Sequence, residues 1–205
     1  MTIDLAAQAL LDIKTVFFSP DAPITFKSGI VSPIYIDNRR LPYEPQAWHD
    51  IIDAFRSLIA ERSLSFDVIA GIETGGIPHS AALAYIMNTP SVFVRKQPKE
   101  HGTKRRVEGG AVTGKRVLLI EDTITTGGSS LSGVEALRDE GAQVIACLAI
   151  FSYGFPQAAE AFAAANVPLL ALTSLSALLE AAQQTGYFTP QAITAIEDWR
   201  HQISG

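Results

Sequence analysis

Glu121 and Asp122 stand side by side between an apolar run, Val117 to Ile120, and a turn of small and hydroxylated residues, Thr123-Ile124-Thr125-Thr126-Gly127-Gly128-Ser129. Each residue type in this order has a chemical use. Gly127 and Gly128 carry no β-carbon and let the backbone approach an anion closely. The stretch SLSGVEALRDEG reads as a helix ending at Gly141, so the turn lies where free N–H groups and the positive end of a helix dipole favour negative charge. Thr123, Thr125, Thr126 and Ser129 add hydroxyl donors. Two carboxylates beside a phosphate cradle repel the phosphate and need another partner. A sugar diol suits them, because a carboxylate accepts two hydroxyl donors. The pattern predicts a seat for a ribose 5-phosphate, with the phosphate in the turn and the diol on the acids. N-capping hydroxyls at an ordinary strand-to-helix turn would account for the Thr and Ser residues, but not for the paired acids before them. Neither GxxxxGK[ST] nor GxGxxG is present at this turn.

A second stretch, FDVIAGIETGGIPHSAALAYIM, repeats the plan. Phe66 to Ala70 predicts a buried strand, GIETGG a flexible turn, and IPHSAALAYIM a helix with Pro78 in its first turn. Two such turns at strand ends give two anion cradles, one for a 5-phosphate and one for a diphosphate. His79, in that helix, reads as a satisfied surface or core histidine. Between Arg95 and Arg106 lie Arg95, Lys96, Lys99, Lys104, Arg105, Arg106 and His101 against one acid, Glu100. On a chain of net charge −5, this local excess points to a small polyanion and away from bulk nucleic-acid binding. Pro98, Gly102, Gly109 and Gly110 predict an irregular, mobile loop over about 96–110, of the kind that serves as a lid.

The elements that must position these residues alternate. Residues 2–14 have helical periodicity. Ile24 to Phe26 and Pro33 to Ile36 predict two short strands around the turn SGIVS, with Lys27 at its shoulder. Residues 44–63 form an amphipathic helix with Trp48, Ile51, Ile52, Phe55, Leu58 and Ile59 inward. Ser91 to Arg95 predicts a strand, AQVIACLAIF another, PQAAEAFAAAN a helix, VPLLAL a strand, and residues 174–184 and 190–201 two closing helices. The result is an α/β fold, a parallel sheet flanked by helices with ligands at the strands' carboxyl ends. With 205 residues, 47 % hydrophobic and 18 % charged, a single globular domain over 1–205 is expected. No apolar run reaches bilayer length, and an acid stands in MTIDLAAQALL where a signal peptide wants bases, so a cytoplasmic location without membrane contact is expected. Cys147, alone in an apolar run, is a core residue and offers no disulfide or cysteine metal cluster.

Three of these segments together resemble a known family. The acid pair and Thr-rich turn are similar to the phosphoribosyl-diphosphate signature of type I phosphoribosyltransferases. Lys27-Ser28-Gly29 with Ser32-Pro33 and the aromatic Tyr35, and the loop Arg95-Lys96-Gln97-Pro98-Lys99-Glu100-His101-Gly102, resemble segments of the orotate phosphoribosyltransferases; purine enzymes share the acidic signature but not the loop. The resemblance implies a type I phosphoribosyltransferase sheet with a small hood from the N-terminal segment. It also implies the reaction of orotate with 5-phosphoribosyl 1-diphosphate, with Mg²⁺ carried by the substrate and no metal ligand on the protein. Lys99 and His101 are then catalytic. Arg95, Lys96, Glu121, Asp122 and the 123–129 turn bind the sugar diphosphate, and Lys27, Tyr35, Thr125 and Tyr153 face orotate. A homodimer sharing its loops across the interface is implied as well.

Two departures stand out. Many members carry Asp-Arg after the strand corresponding to Val144–Phe151, where this chain has Phe151-Ser152-Tyr153-Gly154, and some carry an aromatic-Lys pair where it has Thr74-Gly75. The other readings are a phosphoribosyltransferase for another base and a non-catalytic phosphoribosyl-diphosphate sensor. The Lys27 segment and the basic loop weigh against the first. The acidic charge and the lack of a helix-turn-helix segment weigh against the second.

Overall fold

The computed structural model describes residues 4–97 and 105–204. Helix α1 (Leu5–Asp12) starts at Asp4, whose carboxylate accepts from the Ala7 N–H at 2.9 Å, a capping contact that satisfies one free donor of the first turn. Four short strands follow, β1 (Val16–Phe18), β2 (Ile24–Thr25), β3 (Val31–Ser32) and β4 (Ile34–Ile36), then a 3-10 turn over Asn38–Tyr43 and helix α2 (Pro45–Glu61). From there strands and helices alternate: β5 (Val68–Ile72), α3 (Gly76–Ile86), β6 (Ser91–Val94), β7 (Val107–Glu108), β8 (Arg116–Ile124), α4 (Gly128–Asp139), β9 (Gln143–Ser152), α5 (Pro156–Ala164), β10 (Leu169–Ser174), α6 (Leu175–Thr185) and α7 (Pro190–Ser204).

The main sheet has the order β10-β9-β8-β5-β6-β7, parallel throughout except for β7, which closes one edge antiparallel to β6. Its central strands β5, β8 and β9 are buried on both faces over most of their length, as parallel strands under crossover helices must be. Along β8, Leu118 and Ile120 join the core under α1, α2, α3, α6 and α7, while Val117 and Leu119 join the core under α4 and α5. From β5 the chain crosses through α3 to β6 on one side; from β8 it crosses through α4 to β9 on the other. The strand order therefore reverses between β5 and β8, and the crevice at their carboxyl ends is where such sheets bind ligands. Both glycine-rich turns open there.

Several local boundaries differ from the sequence reading. The strand expected at Pro33–Ile36 does not pair with the one at Ile24: β2 pairs with β3, and β4 pairs with β1. Pro33 has no N–H to give a ladder. Ser32 Oγ also meets the Ile34 N–H and carbonyl at 3.2 and 2.7 Å, and this bend hands the chain from one small sheet to the next. The two small sheets form the hood, pinned by Trp199 Nε1 donating to the Val31 carbonyl and the Tyr187 hydroxyl donating to that of Val16. Strand β5 lies two residues later than predicted. The irregular segment expected over 96–110 is shorter, because Val107–Glu108 pairs with β6 and the Arg95 N–H donates to the Arg106 carbonyl at 2.9 Å.

Candidate active site

A cavity of about 400 Å³ opens at the switch point. One wall is the turn after β8, contributing Thr123 through Ser130. A second is the tip of the β2–β3 hairpin, with Phe26, Lys27 and Ser28, and a third is cationic, with Arg95, Lys96 and Arg106. Lys27, Arg95, Lys96 and the turn residues Thr123, Ile124, Thr125, Thr126, Gly127, Gly128 and Ser129, all expected at a ligand site, thus meet around one space. Lys99 and His101 lie outside the described residues.

The turn is shaped for an anion by its backbone. Gly127 has φ of +81°, and a β-carbon on it would come within 2.8 Å of Phe162 Cε2. No other residue type meets both demands without strain. Helix α4 begins at the next residue without a side-chain cap, so its first N–H groups face the cavity end free for a ligand's oxygens.

The acid pair behaves differently from the sequence reading. Strand β8 does not stop at Ile120 but continues through Ile124, and successive side chains of a strand point to opposite faces. Glu121 turns toward α4 and is buried; its carboxyl accepts from Ser130 Oγ at 3.0 Å and from the Asp122 N–H at 3.1 Å. Burial first, and then the charge of Asp122, hold it well above the ordinary carboxylate range, which favours the neutral acid. Asp122 faces α3. Its Oδ1 accepts from the Thr123 N–H at 2.8 Å, and a β-carbon on Gly75 would overlap its carboxylate. Glycine at 75 is thus what admits this acid between the two turns. The sequence brought the two acids to one diol; the pleat sends their side chains toward different helices, although the Glu121 carboxyl still hydrogen-bonds that of Asp122, and neither is among the cavity-lining side chains.

Two residues expected to face the base are also displaced. Tyr153 is buried behind the wall, its ring 5.1 Å from Phe26 and stacked on Phe155 at 5.7 Å, and its hydroxyl donates to the Ile34 carbonyl at 3.2 Å. Burial pushes its pKa far up, as a phenol without water must behave. It supports Phe26 and does not line the cavity. Tyr35 is half-buried in the hood, and its hydroxyl accepts from Arg39 Nη2 at 2.8 Å. Burial, then Asp37, raises its pKa, with Arg39 opposing.

Other site residues were not singled out beforehand. Asn38 is buried and joins hood to sheet, its Nδ2 donating to the Asp122 carbonyl at 2.9 Å and to Thr123 Oγ1 at 3.0 Å. Its signal was weak: one amide in PIYIDNRR, eighty-odd residues from its partners. Arg106 was visible only as part of a charge run. In the fold its Nη1 donates to the Ser132 carbonyl and Oγ at 2.9 and 3.0 Å and its Nε to the Arg95 carbonyl at 2.8 Å, which closes the cationic wall. Lys96 is anchored through its N–H to Glu73 Oε2 at 2.8 Å, tying the loop's first residues to the turn after β5. Cys147 is buried in the core as expected.

Comparison with known proteins places this geometry. Residues 44–162 match the model of the phosphoribosyl transferase domain. The chain is 44% identical over 196 residues to orotate phosphoribosyltransferase of Bacteroides thetaiotaomicron, covering 96% of this chain and 92% of the relative. Among solved structures it is similar to Leishmania donovani UMP synthase, with a TM-score of 0.83 and 28% identity, over 97% of this chain and 42% of that longer one. It is similar also to Mycobacterium tuberculosis orotate phosphoribosyltransferase in complex with 5-phospho-α-D-ribosyl 1-diphosphate, with a TM-score of 0.65 and 30% identity, over 85% of this chain and 98% of that one. With an anion cradle, a cationic wall and a lysine-bearing hood meeting at the switch point of such a sheet, the chain belongs to the phosphoribosyl transferase family and, within it, to the orotate phosphoribosyltransferases.

Proposed function

We propose that the protein transfers the phosphoribosyl group of 5-phosphoribosyl 1-diphosphate to orotate, releasing diphosphate and forming orotidine 5′-monophosphate, the step that commits orotate to UMP. The observation that carries this reading is the single cavity shared by the 123–129 cradle, the Arg95–Lys96 cations and the Lys27 hairpin tip. The cradle takes the 5-phosphate on backbone N–H groups and the hydroxyls of Thr125, Thr126 and Ser129. Asp122 accepts from the ribose diol, with the buried Glu121 beside it accepting from Ser130 Oγ. Lys27 and the Thr125 hydroxyl face orotate.

Breaking the ribose C1–O bond leaves positive charge on the sugar and adds negative charge to the departing diphosphate. Donors aimed at that developing charge lower the barrier. Arg95 and Lys96 stand at the cavity, and Lys99 and His101, which fall between β6 and β7 in sequence, are assigned the same task. Mg²⁺ would be carried by the diphosphate as its counter-ion, and Asp122 and Glu73 are the hard oxygen donors that would meet it on the protein side. Bound there it would neutralise leaving-group charge. The basic residues between Arg95 and Arg106 are also assigned the exclusion of water, which would otherwise hydrolyse the activated sugar.

The chain is read as one domain, acting in the cytoplasm as a homodimer whose loop serves the neighbouring site. Loss of orotate's ultraviolet absorbance on adding 5-phosphoribosyl 1-diphosphate and Mg²⁺ tests the activity. Absorbance that stays constant with fresh substrates at high enzyme concentration would overturn it.

A further inference from the structure

His79 lies on α3 with no exposed surface, one helical turn beyond Gly75, against which the Asp122 carboxylate is pressed. Trp48 Nε1 donates to its Nδ1 at 3.0 Å. An indole nitrogen only donates, so Nδ1 must be the bare acceptor and the ring proton must sit on Nε2. That Nε2–H is buried and has no hydrogen-bond partner among the described residues. Buried donors are rarely left unpaired, and those that are mark strain or function. The negative group whose field reaches the ring is Asp122. We propose that His79 is a positioning residue for Asp122: its Nε2–H, locked in that tautomer by Trp48, donates to the Asp122 carboxylate once the sugar diphosphate draws that acid into line, and so holds it on the diol.

The chemistry is consistent from the other side. A carboxylate that accepts two hydroxyls needs a fixed plane; the Thr123 N–H holds one edge of Asp122, and the neighbouring Glu121 carboxyl is hydrogen-bonded to the same group. A neutral imidazole supplies a further donor, from the α3 side, without adding charge beside the diphosphate. Burial favours that neutral form, lowering the His79 pKa to about 4 against a smaller opposing effect of Asp122.

This proposal rests on the orotate reading, and the test separates the two. Long-range proton–nitrogen correlation on histidine-labelled protein reads the tautomer of His79 directly, assigned by its loss in His79→Gln. The expected result is a neutral Nε2–H ring at pH 7, whose Nε2 signal moves when 5-phosphoribosyl 1-diphosphate is added and fails to move in Asp122→Asn. In calorimetry His79→Leu should weaken sugar-diphosphate binding roughly tenfold, as loss of one hydrogen bond to a charged group does, while orotate KM stays within about twofold. His79→Gln, whose amide N–H reaches to the same place, should recover most of the affinity. An Nδ1–H tautomer, or a signal that ignores both ligand and Asp122→Asn, would overturn the proposal even if His79→Leu did not fold. A protein that binds the sugar diphosphate with the expected shift but leaves orotate unchanged would defeat the orotate reading alone.

Discussion

Glu121 and Asp122 are adjacent in sequence and face opposite sides of the central sheet, Glu121 bonded to Ser130 on α4 and Asp122 pressed against Gly75 at the start of α3. A shared role would make their amide variants equivalent. The structure divides them. Asp122→Asn removes charge from an acceptor next to the crevice and should weaken 5-phosphoribosyl 1-diphosphate binding by about tenfold or more. Glu121→Gln replaces a group already favoured as neutral and should change affinity by less than about threefold. Calorimetry on both variants checks this, and equal losses would return Glu121 to the diol.

The buried histidine sets a pH dependence of stability. Its folded pKa is about 4, below the ordinary value near 6.5. The unfolded chain therefore takes up a proton first as pH falls, and stability is full above about pH 6.5 and lost toward pH 4. Between pH 7 and pH 5 the loss from this group is about 2 kcal/mol. Glu121 acts in the opposite sense, since its raised pKa costs stability as pH rises above the ordinary carboxylate range. Urea unfolding of the wild type and of His79→Gln at both pH values isolates the histidine: the variant should lack its share of the loss.

Gly127 carries two constraints at once, the left-handed backbone and the contact with Phe162. Gly127→Ala should cost about 1–3 kcal/mol of stability and weaken phosphate binding in the cradle. Phe162→Leu in the same chain should relieve the steric part and leave the conformational part. Thermal melts of the single and double variants give the split.

Tyr153 and Lys27 test how orotate's carboxylate is met without the arginine found in many relatives. Tyr153→Phe removes the hydroxyl's bond to the Ile34 carbonyl and should cost about 1 kcal/mol of stability, with orotate KM within about twofold because the ring stays behind Phe26. Lys27→Ala, at the cavity itself, should impair use of orotate severely and narrow its preference over uracil, which lacks the carboxylate. A Lys27→Ala enzyme with the full preference would direct attention to Arg39 or Arg40.

Loop sharing between subunits is tested by mixing two impaired proteins, Lys99→Ala and Asp122→Asn, after subunit exchange and at a sugar-diphosphate concentration too low for Asp122→Asn to turn over. If each loop serves its neighbour, a mixed dimer pairs one doubly broken site with one intact site, and activity returns. Demonstrated exchange without recovery would show a loop that closes over its own subunit.

Much of the site was legible in the chain because its chemistry is local. The turn 123–129 is contiguous, so its glycines and hydroxyls announce an anion cradle wherever the fold places them, and the alternation of apolar strands and helices requires a parallel sheet with that turn at a strand's carboxyl end. The Lys27 tip and the Arg95–Lys96 pair were visible for the same reason. What tertiary structure decided was direction and distance. Four more residues in β8, Glu121 to Ile124, turned two adjacent acids to opposite faces, a result of the strand's two-residue period that no spacing argument could yield without knowing where the strand ends. The partnerships of Asn38 with Thr123 and of Trp48 with His79 join segments far apart in sequence, and Tyr153 was withdrawn behind Phe26 by the packing of Phe155 and Trp199 around it. Side-chain type is written in the sequence; which face and which neighbour it meets is set by the pleat of the sheet and by close packing across it.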